Sequence, residues 1–303
     1  MLPCMSSIRR HRRVDEAPRF SIVVPAYNAE ATVAAAIESV LAQESADWEL
    51  VVIDDGSTDG TRAICDGYAA TDSRITCESQ PNAGTGAAIS AAVSRARGEF
   101  IVQLGADDEL LPEYCSVTSA FIDEHPDFDI YASNAYRWLP DGTRRLYHTG
   151  PRFKSVHSLT VDQMLDASLI YSSAAFRRPL FSLVGGFRAE FYNEDYDFWL
   201  RALIAGARHI YNPRPLALYR VTPGQKTEDG VTMRLEDIRI LEDAIAGGRL
   251  TPEQTEHARR VVARHERNVA FRRRVISLLG RRLAKPVFRL AHAAVAFFTR
   301  RGR

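Results

Sequence analysis

Two apolar, strand-like runs in this chain end on paired carboxylates. Val51-Val52-Ile53 leads into Asp54-Asp55-Gly56, and Phe100-Ile101-Val102 leads to Asp107-Asp108. A third acidic cluster follows at Glu194-Asp195-Tyr196-Asp197. In an open α/β sheet, ligands bind beyond the carboxyl ends of the strands, so acids far apart in sequence meet at one crevice. Acids alone would repel a phosphate, whereas a divalent cation among them turns repulsion into attraction. The pattern therefore points to an α/β fold with a metal-dependent site for a polyanion.

The stretch from Phe20 onward carries the alternation such a sheet needs. Ser21 to Val24 is a β-branched run halted by Pro25, and Ala31 to Leu41 follows with Val33, Ile37, Val40 and Leu41 near helical spacing. Leu50 to Ile53 predicts a second strand, Thr61 to Ala70 a helix, and Ile75 to Cys77 a short strand. Ala87 to Arg97 predicts a helix, and Phe100 to Val102 another strand. Strands alternating with helices imply a mainly parallel, buried sheet flanked by helices. Later, Ile130 to Ala132 and Arg144 to His148 flank Pro140-Asp141-Gly142 as a hairpin would. Asp162 to Ala167 and Tyr196 to Ala205 read as helices, and Leu216 to Tyr219 as a late strand.

Composition separates this body from its ends. With 303 residues, 46% hydrophobic and 25% charged, the chain can bury one large core and an appendage. Residues 1–19 have five arginines and no apolar period, and read as a mobile basic arm. The composition shifts near residue 225, where a charged helical stretch (226–270) precedes a basic amphipathic tail (271–303). That tail holds ten cations and no acid, which against a net charge of +1 leaves residues 1–270 at −9. Four scattered cysteines without a C-x-x-C pair fit a reducing compartment. With no long apolar span and no secretory leader pattern, the expected location is the cytoplasm.

Each motif alone has a plain structural reading. Asp-Asp-Gly-Ser after a strand is a turn sequence, and Asp107-Asp108 suits a helix N-cap as well as metal ligation. Acids in the first turn beginning at Glu194 complement a helix dipole. Asn82-Ala83-Gly84-Thr85-Gly86 could cradle phosphate on amide N–H groups at a helix start, but lacks the spacing of a dinucleotide fingerprint or a phosphate loop.

The order of these motifs carries more than each alone. Val24-Pro25-Ala26-Tyr27-Asn28, Val52-Ile53-Asp54-Asp55-Gly56-Ser57-Thr58-Asp59, Asn82-Ala83-Gly84, Ala106-Asp107-Asp108, Gly185-Gly186-Phe187 and Glu194-Asp195 together closely resemble family 2 glycosyltransferases of the GT-A fold. The resemblance covers roughly Phe20 to Thr222. It implies an inverting hexosyl transfer, dependent on Mg²⁺ or Mn²⁺, from a nucleotide-sugar, UDP being the commonest carrier. The acceptor it implies is a hydroxyl of a glycan or lipid-linked molecule in cell-surface polysaccharide synthesis. Pro25, Tyr27, Glu30 and Asp54 or Asp55 would hold base and ribose, with Gly84 in the donor site. Asp107 with Asp108 would contact ribose and the metal, and Asp195 would be the general base, supported by Glu194. Gly185-Gly186 would let the chain pass close to donor sugar and acceptor.

The sequence also departs from the family pattern. Gly105 replaces the first acid of D-x-D, Ile89-Ser90 stands where Arg-Asn is frequent, and Thr222 replaces the His of Tyr-Arg-x-His. Arg220 would then take over part of the diphosphate neutralisation. These losses motivate an alternative, a nucleotide-sugar-binding scaffold without turnover. A nucleotidyltransferase is a third reading, disfavoured because no Gly-rich basic loop follows the first strand. Phe271 to Arg303 interleaves apolar residues with its cations, and Pro286 predicts two short helices. Such a segment suits either an anionic membrane surface, on the inner face of the cell membrane, or packing on the catalytic domain or an oligomer partner. Nucleic acid is not an expected partner, because the acidic body repels phosphate backbones.

Overall fold

The computed structural model describes residues 17–222, 225 and 229–301, with side chains through residue 279. Of the expected N-terminal arm, residues 1–16 lie outside the described residues. Its last residues are tied down: Glu99 N–H donates to the Pro18 carbonyl, and Arg19 pairs with Asp123 at 2.6 Å.

The first half alternates as its pattern predicts, through β1 (Phe20–Ala26), α1 (Val33–Leu41), β2 (Trp48–Asp54), α2 (Thr61–Ala69), β3 (Ile75–Ser79), α3 (Thr85–Arg95) and β4 (Phe100–Gln103). Then come β5 (Glu109–Leu110), α4 (Tyr114–Glu124), β6 (Ile130–Trp138), β7 (Arg144–Leu146), α5 (Val161–Asp166), β8 (Ala175–Arg177) and α6 (Arg178–Val184). The chain continues through α7 (Glu194–Ile204), β9 (His209–Arg220), α8 (Gly230–Ala246) and α9 (Pro252–Arg301). Among the described residues one sheet has the order β3-β2-β1-β4-β8-β6-β9-β5, with β7 added on β6. The β3-β2-β1-β4 half is parallel, and β6 and β9 form a long parallel pair, while β8 and β5 join antiparallel.

The parallel strands read as continuous apolar runs because helices cover both faces. Every residue of β2 is buried, and Val51 and Ile53 join a cluster with α3 and α7 while Leu50 and Val52 face α1 and α4. The hairpin expected around Pro140-Asp141-Gly142 is β6–β7, closed by Gly142 N–H donating to Leu139 O.

Some elements differ from their patterns. The expected late strand starts earlier, at His209, because β9 crosses Pro213 and Pro215 with register shifts opposite Ser133–Ala135; a proline has no N–H for the ladder. The expected break at Pro286 is absent, and α9 is a single helix. Proline removes one helical hydrogen bond at a cost of about 3 kcal/mol, and here helix formers on both sides (Arg281 to Lys285, Phe288 to Ala291) carry the helix across it. Finally, α8, α9 and the turn between them place Ile240, Leu241, Leu250, Ala258 and Val261 in the same apolar cluster as Trp199 and Val51. The helical extension thus packs directly on the sheet domain.

Candidate active site

The carboxyl ends of β1, β2 and β4 open into a cleft of about 1380 Å³, whose far wall is made by α7, α8 and α9. The loop after β1 is laced to the loop after β2. Asn28, at φ +48°, donates its N–H to Ser57 Oγ at 3.0 Å and accepts from Thr58 N–H at 2.8 Å. Ala29 N–H donates to Thr61 Oγ1 at 2.7 Å, and Glu30 Oε2 accepts from Gly60 N–H at 2.7 Å. These short polar side chains hold the loop without an apolar core, and leave the Tyr27 ring 52% exposed at the cleft. Of the three residues expected to hold base and ribose here, Pro25 and Tyr27 line the cleft, while Glu30 does not and engages its carboxylate in this lacing.

The two acids after β2 divide their work. Asp54 accepts from Ser57 N–H and from Ser79 Oγ at 2.8 Å, and is not part of the cleft wall. Asp55 lines the cleft while accepting from Gln80 Nε2 at 2.7 Å and from the amides of Ala83 and Gly84 at 2.9 Å each. The Asn82-Ala83-Gly84 amides expected to face phosphate are thus partly claimed by Asp55, and Gly84, at φ +89°, is the turn that admits α3.

At the end of β4 the paired acids also separate. Asp107 lines the cleft, and burial raises its carboxyl from the usual range. Asp108, expected as a second metal ligand, is 4% exposed and lies outside the cleft wall. Its oxygens accept from Tyr171 Oη at 2.8 Å and from Arg220 N–H at 3.0 Å. Burial, then the neighbouring Asp107 charge, pushes it up to about 8. Gly105, where the first acid would stand, sits close to both carboxylates: a Cβ there would lie 2.9 Å from Asp107 Oδ1 and 3.1 Å from Asp108 Oδ2. Arg220, expected to face the diphosphate, instead pairs with Glu109, donates to the Asp107 carbonyl at 3.1 Å and lies over the Trp138 ring.

Glu194 and Asp195 open α7, and both line the cleft. Asp195 accepts from Tyr196 N–H at 2.7 Å. Its charge reaches Tyr147, whose phenol is raised by burial first and by Asp195 second. The third acid of the cluster, Asp197, is 1% exposed and belongs to the scaffold. It accepts from Arg188 and from Arg201 Nη2 at 2.7 Å, while Arg201 also donates to the Gly186 carbonyl at 2.7 Å. Gly185 and Gly186, at φ +80° and +77°, end α6 in left-handed conformations and lie outside the cleft wall.

From the other side α8 grips the start of α7. Glu236 accepts from Tyr192 N–H at 3.0 Å, Asp237 accepts from Asn193 Nδ2 at 3.1 Å, and Asp243 pairs with Arg188 at 2.7 Å. The cleft therefore gathers Pro25, Tyr27, Asp55, Asp107, Glu194 and Asp195 from the expected set. It adds Tyr147, Tyr171, Tyr192, Arg234, Asp237 and Arg272, which sequence reasoning passed over, together with Tyr219 of β9, the Tyr of the Tyr-Arg-x-His stretch. Tyr147, Tyr171 and Tyr192 lie in irregular segments outside the strands and helices. Arg234 and Arg272 carried one signal, their place in a helical stretch that follows the last strand. Among the described residues no group of three or more His, Cys, Asp or Glu is arranged to hold a metal by itself.

Residues 21–185 match the model of glycosyl transferase family 2. The chain is 32% identical over 260 residues to the uncharacterised protein y4gI of Sinorhizobium fredii, covering 84% of this chain and 26% of that protein. It is 30% identical over 220 residues to a hyaluronan synthase of Pasteurella multocida, covering 71% of this chain and 21% of the synthase. The chain thus spans about a quarter or less of the length of these two relatives. Among solved structures, S. aureus TarS 1-349 in complex with UDP-GlcNAc superposes with a TM-score of 0.67 at 21% identity, over 86% of this chain and 76% of that one. The mannosyltransferase PcManGT of Pyrobaculum calidifontis, solved with GDP-Man and Mn²⁺, gives 0.64 at 18% identity, over 93% and 81%. These two likenesses reach across both halves of the sheet, and the family match supplies what they leave open: with a GT-A fold and the motifs of β1, β2 and β4 in order, the chain belongs to glycosyl transferase family 2.

Proposed function

We propose that the cleft transfers a sugar from a nucleoside-diphosphate sugar, UDP-linked by preference, to a hydroxyl of a glycan or lipid-linked acceptor in polysaccharide synthesis. The observation that carries this reading is the convergence of Tyr27, Asp55 and Asp107 from strand ends with Asp195 from α7 on one cleft. The named relatives support it: one is a hyaluronan synthase, and one structural neighbour was solved with UDP-GlcNAc.

Tyr27 and Asp55 hold base and ribose. Asp107 fits a cation shared with substrate, since Mg²⁺-type ions are held by one or two carboxylates plus phosphate oxygens rather than by a protein cage. The partly buried, cleft-facing Asp107 supplies such a carboxylate. When bound there, the ion neutralises charge on the departing diphosphate. Asp195 takes the proton from the acceptor hydroxyl as that oxygen attacks the anomeric carbon from the side opposite the leaving group, and a single displacement inverts the configuration. General-base assistance contributes typically ~10²–10⁴-fold.

The test is Asp195→Asn, which keeps shape and removes basicity. Transfer falls by at least ~10²-fold while UDP affinity by calorimetry stays nearly unchanged; comparable transfer by this variant excludes Asp195 as base. Asp107→Ala weakens UDP binding in Mn²⁺ and leaves metal-free binding almost unaltered.

A further inference from the structure

Arg234 and Arg272 are the two cations among the described residues that line the cleft; Asp55, Asp107, Glu194, Asp195 and Asp237 make its remaining charge acidic. Both arginines come from the C-terminal helices, beyond residues 21–185 that carry the family match. Arg234 Nη1 donates to Asp237 Oδ2 at 2.9 Å and lies 3.3 Å from His265 Nε2. Asp237 in turn accepts from Asn193, the residue before Glu194-Asp195. One bridging carboxylate thus links Arg234 to the segment that carries the proposed base.

Arg272 Nε donates to Asn268 Oδ1 at 2.8 Å, and its guanidinium lies against Gly230 at the start of α8. Burial first, and the Arg234 charge second, push Arg272 down from its ordinary range. The fold therefore places two guanidinium groups, one of them partly buried, on the wall of the cleft that also carries Glu194 and Asp195. The planar guanidinium fork matches a phosphate or carboxylate.

We propose that Arg234 and Arg272 bind an anionic group, phosphate or carboxylate, on the acceptor, so that the acceptor is an acidic molecule. The proposal rests on the reading of Asp195 as the base that faces the acceptor hydroxyl. In that reading the donor's diphosphate lies at the end of β4, by Asp107. The cations beside α7 then face the molecule that Asp195 deprotonates.

The experiment titrates the full chain, saturated with UDP and Mn²⁺, with three probes: a prenyl-diphosphate-linked N-acetylglucosamine, a glucuronic-acid-containing disaccharide, and neutral chitobiose. At least one acidic probe binds about tenfold or more tightly than chitobiose, and which one does so separates phosphate from carboxylate as the source of charge. Arg272→Gln reduces that preference about tenfold, Arg272→Lys retains part of it, and neither alters UDP affinity. Arg234→Lys, which keeps the charge next to Asp237, serves where Arg234→Gln unfolds. Equal binding of all three probes overturns the proposal, as does an unchanged preference in Arg272→Gln. A loss of UDP but not uridine affinity in Arg272→Gln also overturns it, giving the arginines to the donor's diphosphate. If the wild-type chain binds no UDP, the donor reading fails on its own. The acidic probes, titrated without UDP, then uphold the arginine pair if their preference persists and overturn it if it does not.

Discussion

At the scale of single residues, Gly105 lies beside the two acids that follow it. A methyl group there would come within 2.9 Å of the Asp107 carboxylate, whose flexible end would have to shift. Gly105→Ala is expected to displace Asp107 and weaken Mn²⁺-dependent UDP binding several-fold, roughly the effect of losing one charge-assisted contact, while uridine binding is unchanged in calorimetry. His209 sets a second expectation. It is fully buried, its Nδ1 accepts from Leu159 N–H at 3.2 Å, and burial pushes it down to about 3. The folded state keeps it neutral while an unfolded histidine takes up a proton below about pH 6.5. Its contribution is present above that pH and is lost as pH falls toward 3, at up to ~1.4 kcal/mol per pH unit. Urea unfolding at pH 7, 6 and 5 is expected to show His209→Gln, which keeps an acceptor for Leu159, losing less stability on acidification than the wild-type chain. Placement at the cleft was legible in the sequence where an acid follows a strand and faces open space, as at Asp55 and Asp107. It was not legible where the adjacent acid turns inward: Asp54 and Asp108 have the same local sequence signal, and only their partners, Ser79 and Tyr171, show that they point away from the cleft.

At the scale of elements, the N-terminus of α7 is positioned from outside itself. Glu236, 8% exposed, takes the Tyr192 amide, and Asp237 takes the Asn193 side chain, so α8 fixes the approach to Asp195. Replacing a buried acceptor leaves its donor unsatisfied, at about 1–3 kcal/mol. Glu236→Ala is therefore expected to lower kcat by about tenfold with UDP affinity preserved; an unchanged kcat removes α8 from the positioning of Asp195. The strand and helix alternation of β1 to β4 was plain from periodicity, because buried parallel strands are apolar throughout. By contrast β8 and β5 are too short, at three and two residues, to show any period. The continuous α9 is a case where one proline weighed more in the pattern than in the helix.

At the scale of the molecule, the sheet domain and the C-terminal helices share one apolar cluster and one cleft. Among the described residues no helix is long and apolar enough to cross a membrane. Membrane docking by the cationic tail is a proposal with its own test. Removing residues 281–303, which leaves Val269 and Arg272 in place, is expected to abolish sedimentation with anionic liposomes in low salt and to keep UDP binding. Liposome binding equal to that of the full chain removes the tail from that role. The sharing of one apolar cluster also bears on synthesis. Tyr27, Asp55 and Asp107 leave the ribosome long before Arg234 and Arg272. Domains fold as units during translation, and because β4 pairs with β8 and the sheet packs on α8 and α9, the early-made wall of the cleft is completed only once the late-made helices have arrived.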